Sequence, residues 1–181
     1  MYLKGQKNNI QNILTKESIY TALMILMSEK QFSEISITEL TNKAGVSRMA
    51  FYRNYSIKED IIIEYIDEAF IQYRDELLKE KLTIYRVSLI FFLYAKKHKK
   101  LIGNLINSKI EYIIFDRYDI YLTQLFKNFV RVKLSQKEKY ILEFVSGGLS
   151  KIIIAWIKND LRESEEEMAG IITTLAQHTG L

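Results

Sequence analysis

The sequence has no cysteine and only two histidines, and these absences remove most kinds of catalytic and metal site. Without cysteine there is no disulfide, no thiolate metal ligand and no cysteine nucleophile, which fits a protein of a reducing compartment. Neither His98 nor His178 is next to a carboxylate pair, a glycine-rich phosphate loop or a metal-ligand spacing. We therefore expect a protein that is not an enzyme and that needs no metal or cofactor.

Proline is also absent, and no stretch alternates between apolar and polar residues as a half-exposed strand would. Apolar residues instead recur at three- and four-residue steps, which is the period of amphipathic helices. The longest mainly apolar run, residues 87–95, is far shorter than a membrane span, and the first residues lack the apolar core of a signal peptide. The sequence predicts an all-α, soluble and cytoplasmic protein with no membrane segment.

Positive charge is unevenly distributed along the chain. Residues 1–58 carry eight lysines and arginines against four glutamates, whereas the rest of the chain carries equal numbers of basic and acidic side chains. The whole positive excess therefore lies in the first third of the chain, as a surface that meets phosphate groups requires. Ordinary variation in surface charge gives similar counts, so this distribution supports a nucleic-acid partner without establishing one.

Residues 36–58, SITELTNKAGVSRMAFYRNYSIK, are predicted to form a helix, a tight turn and a second short helix. Ser36 and Glu39 have capping-box spacing at the start of the first helix. Gly45 is expected to end that helix, because glycine readily takes the positive φ that so small a turn requires. Ser47 is positioned to cap the helix that follows.

The second short helix has two different faces. Its inward face is expected to consist of Val46, Phe51 and Tyr55. Its outward face is expected to consist of Arg48, Met49, Tyr52 and Arg53. Such an outer face, on a short helix held by a glycine turn, suits insertion into a DNA major groove. A helical hairpin with solvated basic residues has the same pattern, so the residues alone leave both interpretations open.

The segment ITELTNKAGVSRMAFYRNYSIKEDII resembles the DNA-binding region of the TetR family of bacterial transcriptional regulators. The likeness extends from near Thr15 to Phe70. The positions that match the family pattern are Thr38, Ala44, Gly45, Val46, Phe51, Tyr52, Tyr55, Lys58 and Glu59. The resemblance implies a helix-turn-helix DNA-binding domain, residues 1–58. A fourth helix would then lead into a helical effector-binding and dimerisation domain, residues 59–181.

The resemblance also implies which side chains meet DNA. Ser47, Arg48 and Met49 would approach base edges, where arginine forks onto guanine and methionine packs on a thymine methyl. Arg53 would contact either bases or backbone. Phosphate contacts would come from Thr38, Tyr52, Asn54 and Lys58. In a twofold dimer two such helices lie about 34–36 Å apart, so the expected partner is double-stranded DNA with a palindromic operator.

Beyond this segment the chain is predicted to be helical throughout. Ser56 and Glu59 have capping-box spacing at the start of the fourth helix, which is expected to end near Lys79. Apolar helices that carry several tyrosine hydroxyls suit a pocket for a hydrophobic or aromatic small-molecule effector. The tyrosines that would orient it are Tyr94, Tyr112, Tyr118 and Tyr121. Aromatic residues at helical spacing are more often core, so the alternative is that these side chains only pack.

The last two predicted helices carry enough apolar surface to favour a homodimer through a four-helix bundle, and the alternative is that this surface is internal core. The expected interface residues are Phe144, Gly148, Ile152, Trp156, Met168, Ile171, Ile172 and Leu175. Gly147 and Gly148 each cost about 1 kcal/mol relative to alanine inside a helix, which favours a close helix approach or a bend at this point.

This region is similar to a TetR-family branch common in Firmicutes, at Trp156, Asn159, Ser164, Glu166, Glu167 and Met168. Asp160 stands where that branch has a turn glycine, and Glu165 where it has a proline.

The sequence as a whole predicts an all-α dimeric DNA-binding regulator, which acts as a repressor. A small-molecule effector would release it from DNA by favouring a dimer whose recognition helices are wrongly spaced. The alternative is a helical co-regulator of the same fold that has lost operator binding. The presence of the expected DNA-contact residues Arg48, Tyr52 and Lys58 favours the DNA-binding regulator.

Overall fold

A computed structural model describes residues 2–79, 81–130 and 135–179, and every regular element within these ranges is helical. The predicted all-α fold is thereby confirmed for the described residues. The helices are α1 (Tyr2–Glu29), α2 (Ile37–Ala44), α3 (Arg48–Tyr52), α4 (Glu59–Leu77), α5 (Ile84–Lys97), α6 (Lys99–Asn107), α7 (Tyr112–Val130), α8 (Gln136–Lys158) and α9 (Glu165–Thr179). A short 3₁₀ turn, Phe32–Glu34, lies between α1 and α2.

The chain divides into two compact units, residues 1–65 (unit 1) and residues 66–181 (unit 2). The division falls inside α4 rather than at its start, so α4 begins in unit 1 and ends in unit 2. Unit 1 contains the predicted helix-turn-helix, and unit 2 contains the tyrosine-bearing helices and the two closing helices.

Unit 1 is built around one face of α1. The buried side chains that α1 contributes are Ile19, Ala22, Leu23, Met24, Leu26 and Met27. Their steps of three and four residues place them on one side of a helix, as predicted. Phe32, Ile35, Leu40 and Phe51 are buried in the same unit, so the short helices gain stability from tertiary packing rather than from their own length.

The predicted N-terminus of α2 is confirmed, with one difference. The Ser36 Oγ accepts a hydrogen bond from the Glu39 backbone N–H at 3.1 Å, which is half of the expected capping box. The Glu39 carboxylate forms an ion pair with Lys30 at 2.6 Å, and the hydrogen bond from Lys30 lowers the pKa of Glu39. The carboxylate therefore joins the end of α1 to the start of α2.

The predicted capping box of Ser56 and Glu59 is wrong. The Asp60 carboxylate instead accepts hydrogen bonds from the backbone N–H groups of Ser56 at 2.7 Å and Ile57 at 3.0 Å. Because α4 begins only at Glu59, Ser56 lies too far upstream to be its N-cap residue. A carboxylate in the first turn of α4 also complements the helix dipole.

Unit 2 has a core of large apolar side chains from α4, α5, α6 and α8, of which Leu77, Phe92, Leu105 and Ile153 are almost completely buried. Phe92 packs against the Trp156 ring in an edge-to-face contact with centroids 5.3 Å apart. This contact joins α5 to α8 in the middle of the unit.

The start of α9 is held to α5 and to its own first turn. Lys96 of α5 forms an ion pair with Glu165 at 2.8 Å. Ser164 and Glu167 exchange backbone-to-side-chain hydrogen bonds of 2.6 and 3.2 Å, which is a complete capping box. Ser135 and Glu138 form a complete capping box at the start of α8.

The turn after α8 has the geometry that a glycine would favour. Asp160 and Leu161 have φ angles of 56° and 54°, in the left-handed region. Their N–H groups donate to the carbonyls of Ile157 at 3.2 Å and Trp156 at 3.0 Å, which closes the helix. Aspartate tolerates this conformation better than most residues, so the turn forms without glycine.

Candidate nucleic-acid interface and ligand cavity

The turn between α2 and α3 depends on Gly45, which has a φ of +67°. The Gly45 N–H donates to the Asn42 carbonyl at 3.2 Å, and the Val46 N–H donates to the Thr41 carbonyl at 3.0 Å. The Ser47 Oγ then accepts the Ala50 N–H at 3.1 Å, so the predicted cap of α3 is confirmed. Two helices are thus joined by a turn of three residues with few unpaired backbone groups.

The inner side of α3 is fixed in the core of unit 1. Phe51 is completely buried and Tyr55 is 6% exposed, which confirms that these two rings face inward. The Tyr55 hydroxyl donates to the Glu64 carboxylate at 2.7 Å, and Glu64 also pairs with Lys16 of α1. The end of α3 is therefore tied to α1 and α4 through one carboxylate.

The outer side of α3 is exposed. Met49 is 66% exposed and Tyr52 is 51% exposed, and both arginines of this helix region are exposed as well. Within the described ranges neither Arg48 nor Arg53 has an ion-pair partner, so both guanidinium groups are available to an external partner. The structure places six of the predicted DNA contacts on the exposed surface of unit 1: Thr38, Ser47, Arg48, Met49, Tyr52 and Arg53.

Asn54 and Lys58 are placed differently from the other predicted contacts, since both are half-buried and engaged within unit 1. The Asn54 side-chain amide donates to the Ala50 carbonyl at 2.9 Å. The Lys58 ammonium donates to the carbonyls of Phe32 and Ile35, and burial lowers its pKa. An ammonium group has three N–H donors, so one remains for a phosphate, and the contact to DNA stays a prediction.

Unit 2 contains a cavity of about 620 Å³. Three of the four predicted ligand-orienting tyrosines, Tyr94, Tyr118 and Tyr121, line it, whereas Tyr112 does not and is 50% exposed. Its other polar wall groups come from Tyr73, Thr83, Ser88 and His98. No lysine, arginine, aspartate or glutamate among the described residues lines the cavity, so its wall carries no fixed charge.

One side of the cavity is made by α4 and α7. The rings of Phe70 and Tyr121 lie parallel, with centroids 3.8 Å apart. Behind this wall Asp67 accepts hydrogen bonds from the Tyr121 hydroxyl and from Arg117. Burial and the hydrogen bond to Asp67 raise the pKa of Tyr121, and burial raises the pKa of Tyr118. Both phenols are therefore neutral hydrogen-bonding groups at physiological pH.

The carboxylates Glu64 and Asp67 have roles that no sequence pattern predicts. Their partners Lys16 and Arg117 lie 48 and 50 residues away in the chain, so no local spacing reveals these contacts. In the part of the chain that the structure describes, no group of three or more histidine, cysteine, aspartate or glutamate side chains is arranged to hold a metal ion.

The predicted dimer-interface residues fall into two groups. Phe144, Gly148, Ile171 and Leu175 are exposed, and Ile152 and Ile172 are half-buried. Trp156 and Met168, by contrast, are 3% and 6% exposed, and their assignment to an interface between chains is corrected here. They are core residues of unit 2, and the Trp156 indole N–H donates to the Glu163 carbonyl at 3.0 Å.

Helix α8 is apolar over a longer stretch than residues 87–95, the run that the sequence analysis compared with a membrane span. By length and composition alone, α8 is long and apolar enough to cross a membrane. In the structure Ser146, Ser150, Ile153 and Ile154 of this helix are buried within unit 2, and 28% of its apolar window is buried.

Comparisons with known proteins agree with this architecture. Residues 82–178, more than half of the chain, match the TetR-type family described as "Transcriptional regulator C-terminal region". An uncharacterized HTH-type transcriptional regulator of Haemophilus influenzae is 37% identical over 49 residues, which are 27% of this chain and 24% of that protein. The chain therefore matches only about a quarter of that relative's length.

Solved structures with the same fold cover both units. Lin0861 from Listeria innocua superimposes with a TM-score of 0.76 at 19% identity, over 94% of this chain and 93% of that one. FadR from Bacillus subtilis, solved in complex with stearoyl-CoA, has a TM-score of 0.54 at 19% identity, over 88% of this chain and 96% of that one. At these identities the likeness establishes the fold alone.

Proposed function

This chain belongs to the TetR family of transcriptional regulators, and from that premise we propose that it is a dimeric, sequence-specific DNA-binding repressor controlled by a small molecule. The observation that carries the proposal is the exposed outer face of α3, with Arg48, Met49, Tyr52 and Arg53 beyond a glycine turn. The inner face of the same helix is buried. A short, rigidly held helix with free guanidinium groups suits base readout in a major groove.

Residues 1–58 carry more basic than acidic side chains, and this net positive charge would attract the phosphates of DNA to the same unit. Thr38 and Tyr52 lie exposed beside the base-reading residues and supply hydroxyl donors for phosphates, which set register without reading sequence. A regulator of this kind works on chromosomal DNA, so we place it in the bacterial cytoplasm, as a homodimer on a palindromic operator.

The cavity of unit 2 supports control by an effector. Its volume of about 620 Å³ falls in the range of pockets that take small molecules, and its uncharged, largely apolar wall suits a hydrophobic or aromatic ligand. The fold relative FadR was solved with stearoyl-CoA, whose acyl chain has this chemistry. Tyr118 and Tyr121 would orient a polar group of the effector, and the effector would favour a dimer whose recognition helices no longer fit successive grooves.

Selection of bound duplexes from a random DNA pool at two salt concentrations tests the proposal. A palindromic consensus, with binding that falls steeply as salt rises, is the expected result. No enrichment, with only weak salt-sensitive binding, would instead favour a helical co-regulator of the same fold. An Arg48→Ala, Arg53→Ala double variant is the matched control, because both side chains are exposed and their loss leaves the core of unit 1 intact.

A further inference from the structure

The cavity of unit 2 follows helix α5 along its whole length. Ile84, Ser88, Phe91, Ala95 and His98 all line it, at steps of three and four residues. Residues at such steps lie on one face of a helix. The face from Ile84 to His98 is roughly 21 Å long at 1.5 Å per residue. The cavity is therefore elongated, with one end near Ile84 and the other near His98.

The cavity is also narrow for its length. A volume of about 620 Å³ spread over roughly 21 Å leaves a mean cross-section of roughly 30 Å², or a width of about 6 Å. Carbon atoms in contact lie about 4 Å apart, so a passage of this width holds one alkyl chain. Each methylene advances an extended chain by about 1.25 Å, at a C–C bond of about 1.5 Å and a bond angle of about 111°. The passage thus has the length of a chain of roughly 16 carbon atoms.

The two ends of the cavity differ in charge. Near Ile84, residues 76–83 contain two glutamates and two lysines, which balance each other. At the other end His98 lies within a run of four exposed lysines, which we call the basic junction: Lys96, Lys97, Lys99 and Lys100. Residues 84–107, which contain α5 and α6, include no acidic side chain. Positive charge is therefore concentrated at the His98 end.

The charge of the basic junction extends to the cavity wall. Lys96 pairs with Glu165 at 2.8 Å, so its charge is largely balanced. The Lys97 ammonium group lies 5.3 Å from the centre of the Tyr94 ring, which is part of the wall. Burial lowers the pKa of His98, and the charge of Lys97 lowers it further. An anion in the cavity would thus meet a favourable potential beside His98.

Lys99 and Lys100 occupy the first turn of α6, where the helix dipole disfavours cations. That turn contains no acidic residue, and within the described ranges neither lysine has an ion-pair partner. Lys96 and Lys97, at the end of α5, complement the dipole of their own helix, whereas Lys99 and Lys100 do not. A bound anion would stabilise this otherwise unfavourable arrangement.

We propose that the effector of this cavity is a linear amphiphile, with an alkyl chain along α5 and one anionic head group beside His98 and the basic junction. This inference rests on the proposed function and deepens it, because it names the chemical class of effector for the same cavity. A ring N–H of His98 would donate to the head group, and the lysines would offset part of the cost of desolvating its charge. Carboxylate and phosphate head groups share this chemistry.

Isothermal titration calorimetry with four ligands that carry the same decyl-length chain tests the inference: decanoate, decyl phosphate, decanol and decyltrimethylammonium. They are shorter than the passage and stay dissolved as monomers. The two anions are expected to bind at least about 10-fold more tightly than the alcohol, because hydrogen bonds to charged groups are the stronger ones. The cation is expected to bind most weakly. The ratio of the two anion affinities assigns the head group to carboxylate or phosphate.

A Lys99→Gln, Lys100→Gln double variant removes two charges of the basic junction at exposed positions off the cavity wall. It should weaken decanoate binding about 3- to 10-fold, since exposed charges each contribute modestly, and leave decanol binding unchanged. Without ligand it should be no less stable to urea than wild type, because the α6 dipole disfavours both lysines. Lys137→Gln, Lys139→Gln is the matched control, since both are exposed lysines in the first turn of α8 and off the cavity wall.

His98→Leu tests the contact to the head group. The substitution removes the ring N–H and leaves an apolar side chain at the cavity wall. Decanoate binding should fall more than about 10-fold, whereas decanol binding should be kept or become tighter. Circular dichroism shows whether this variant is folded, and the lysine variant and the ligand series decide the question if it is not.

The outcomes separate this inference from the proposed function. Equal affinities of wild type for decanoate and decanol would overturn the inference and leave a cavity for uncharged effectors. Tightest binding of decyltrimethylammonium would overturn it as well. Binding of none of the four ligands by a protein that still selects a palindromic DNA sequence would overturn both the inference and effector control, and leave the DNA-binding function. A preference for decanoate that falls in Lys99→Gln, Lys100→Gln but persists in Lys137→Gln, Lys139→Gln would support the inference.

Discussion

The ammonium group of Lys58 donates a hydrogen bond to the backbone carbonyl of Phe32 at 2.8 Å and lies 4.5 Å from the centre of the Phe32 ring. The same group donates to the Ile35 carbonyl. These two carbonyls lie between the end of α1 and the start of α2. The Phe32 carbonyl also accepts the Ile35 N–H at 3.2 Å in the 3₁₀ turn, and Lys58 adds a charged donor to both carbonyls. Lys58 is therefore a structural residue of unit 1 as well as a predicted phosphate contact.

Lys58→Met should destabilise unit 1 by about 1–3 kcal/mol, because it leaves two partly buried carbonyls without their charged donor. Urea unfolding followed by circular dichroism measures the change. Lys43→Met is the control, since Lys43 is an exposed lysine of the same unit. Equal midpoints for the two variants would show that the Lys58 hydrogen bonds contribute nothing to stability.

Tyr55 and Tyr52 lie three residues apart, but the loss of the Tyr55 hydroxyl should lower stability more than the loss of the Tyr52 hydroxyl. Tyr55→Phe removes the donor to Glu64 and should lower stability by about 0.5–1.5 kcal/mol. Tyr52→Phe, at an exposed position, should change stability by less than about 0.5 kcal/mol. Thermal unfolding of the two variants side by side checks this, and a larger loss for Tyr52→Phe would contradict the assigned faces of α3.

Local signals in the sequence were enough to place the helix-turn-helix. Ser36, Gly45 and Ser47 act within three residues of their own positions, so capping and backbone rules predict them directly. The apolar spacing of α1 likewise shows its buried face. By contrast, the roles of Glu64 and Asp67 depend on residues about 50 positions away, and only the packed fold brings those pairs together.

Trp156, Met168, Tyr112 and Ser56 differ from prediction because their local patterns fit more than one arrangement in the fold. Trp156 and Met168 are apolar residues of closing helices, and periodicity cannot tell which apolar side of a helix faces its own core and which faces another chain. Tyr112 shares the composition of the cavity tyrosines but lies at the first residue of α7, away from the cavity wall. Ser56 fits a capping pattern, yet the start of α4 at Glu59 decides that Asp60 caps instead.

Gly45→Ala should destabilise the protein by about 1–2 kcal/mol, since a side chain raises the energy of the left-handed conformation at φ +67°. There is open space around an added Cβ, so the cost is conformational rather than steric with neighbours. Gly103→Ala makes the same substitution inside α6, also in open space, and should stabilise by about 0.5–1 kcal/mol. Urea titrations that shift both variants in the same direction would refute the role given to the turn.

Arg48→Ala should relax sequence preference at one base pair of each half-site, with a loss of about 1–3 kcal/mol of discrimination. Tyr52→Phe should instead weaken binding to all sequences alike, because a phosphate contact carries no base information. Binding titrations on the selected operator and on single-base variants of it distinguish the two patterns. Uniform weakening by Arg48→Ala would move this arginine from base readout to backbone contact.

The ion pair of Lys96 and Glu165 gives unit 2 a stability that depends on pH. Glu165 is largely buried, and the hydrogen bond from Lys96 lowers the pKa of its carboxyl group below the ordinary value of about 4.5. A carboxyl group with a lowered folded pKa stabilises the protein fully above its unfolded pKa, and this contribution is lost as the pH falls through the folded pKa. Lys96→Met should therefore lower stability at neutral pH, and its difference from wild type should shrink as the pH falls below about 4.5.

Lys97→Met is the control for this effect, because the neighbouring Lys97 contacts the Gln72 side-chain oxygen at 3.2 Å and the Tyr94 ring rather than a carboxylate. Neither of those partners is a carboxylate, so any destabilisation by Lys97→Met should be the same across the acidic range. Urea midpoints for wild type and both variants, from neutral pH down to about pH 3, provide the measurement around the ordinary carboxyl pKa. If the Lys96→Met difference persisted unchanged at the lowest pH, the lysine would be stabilising α5 and α9 by packing of its stem rather than by its charge.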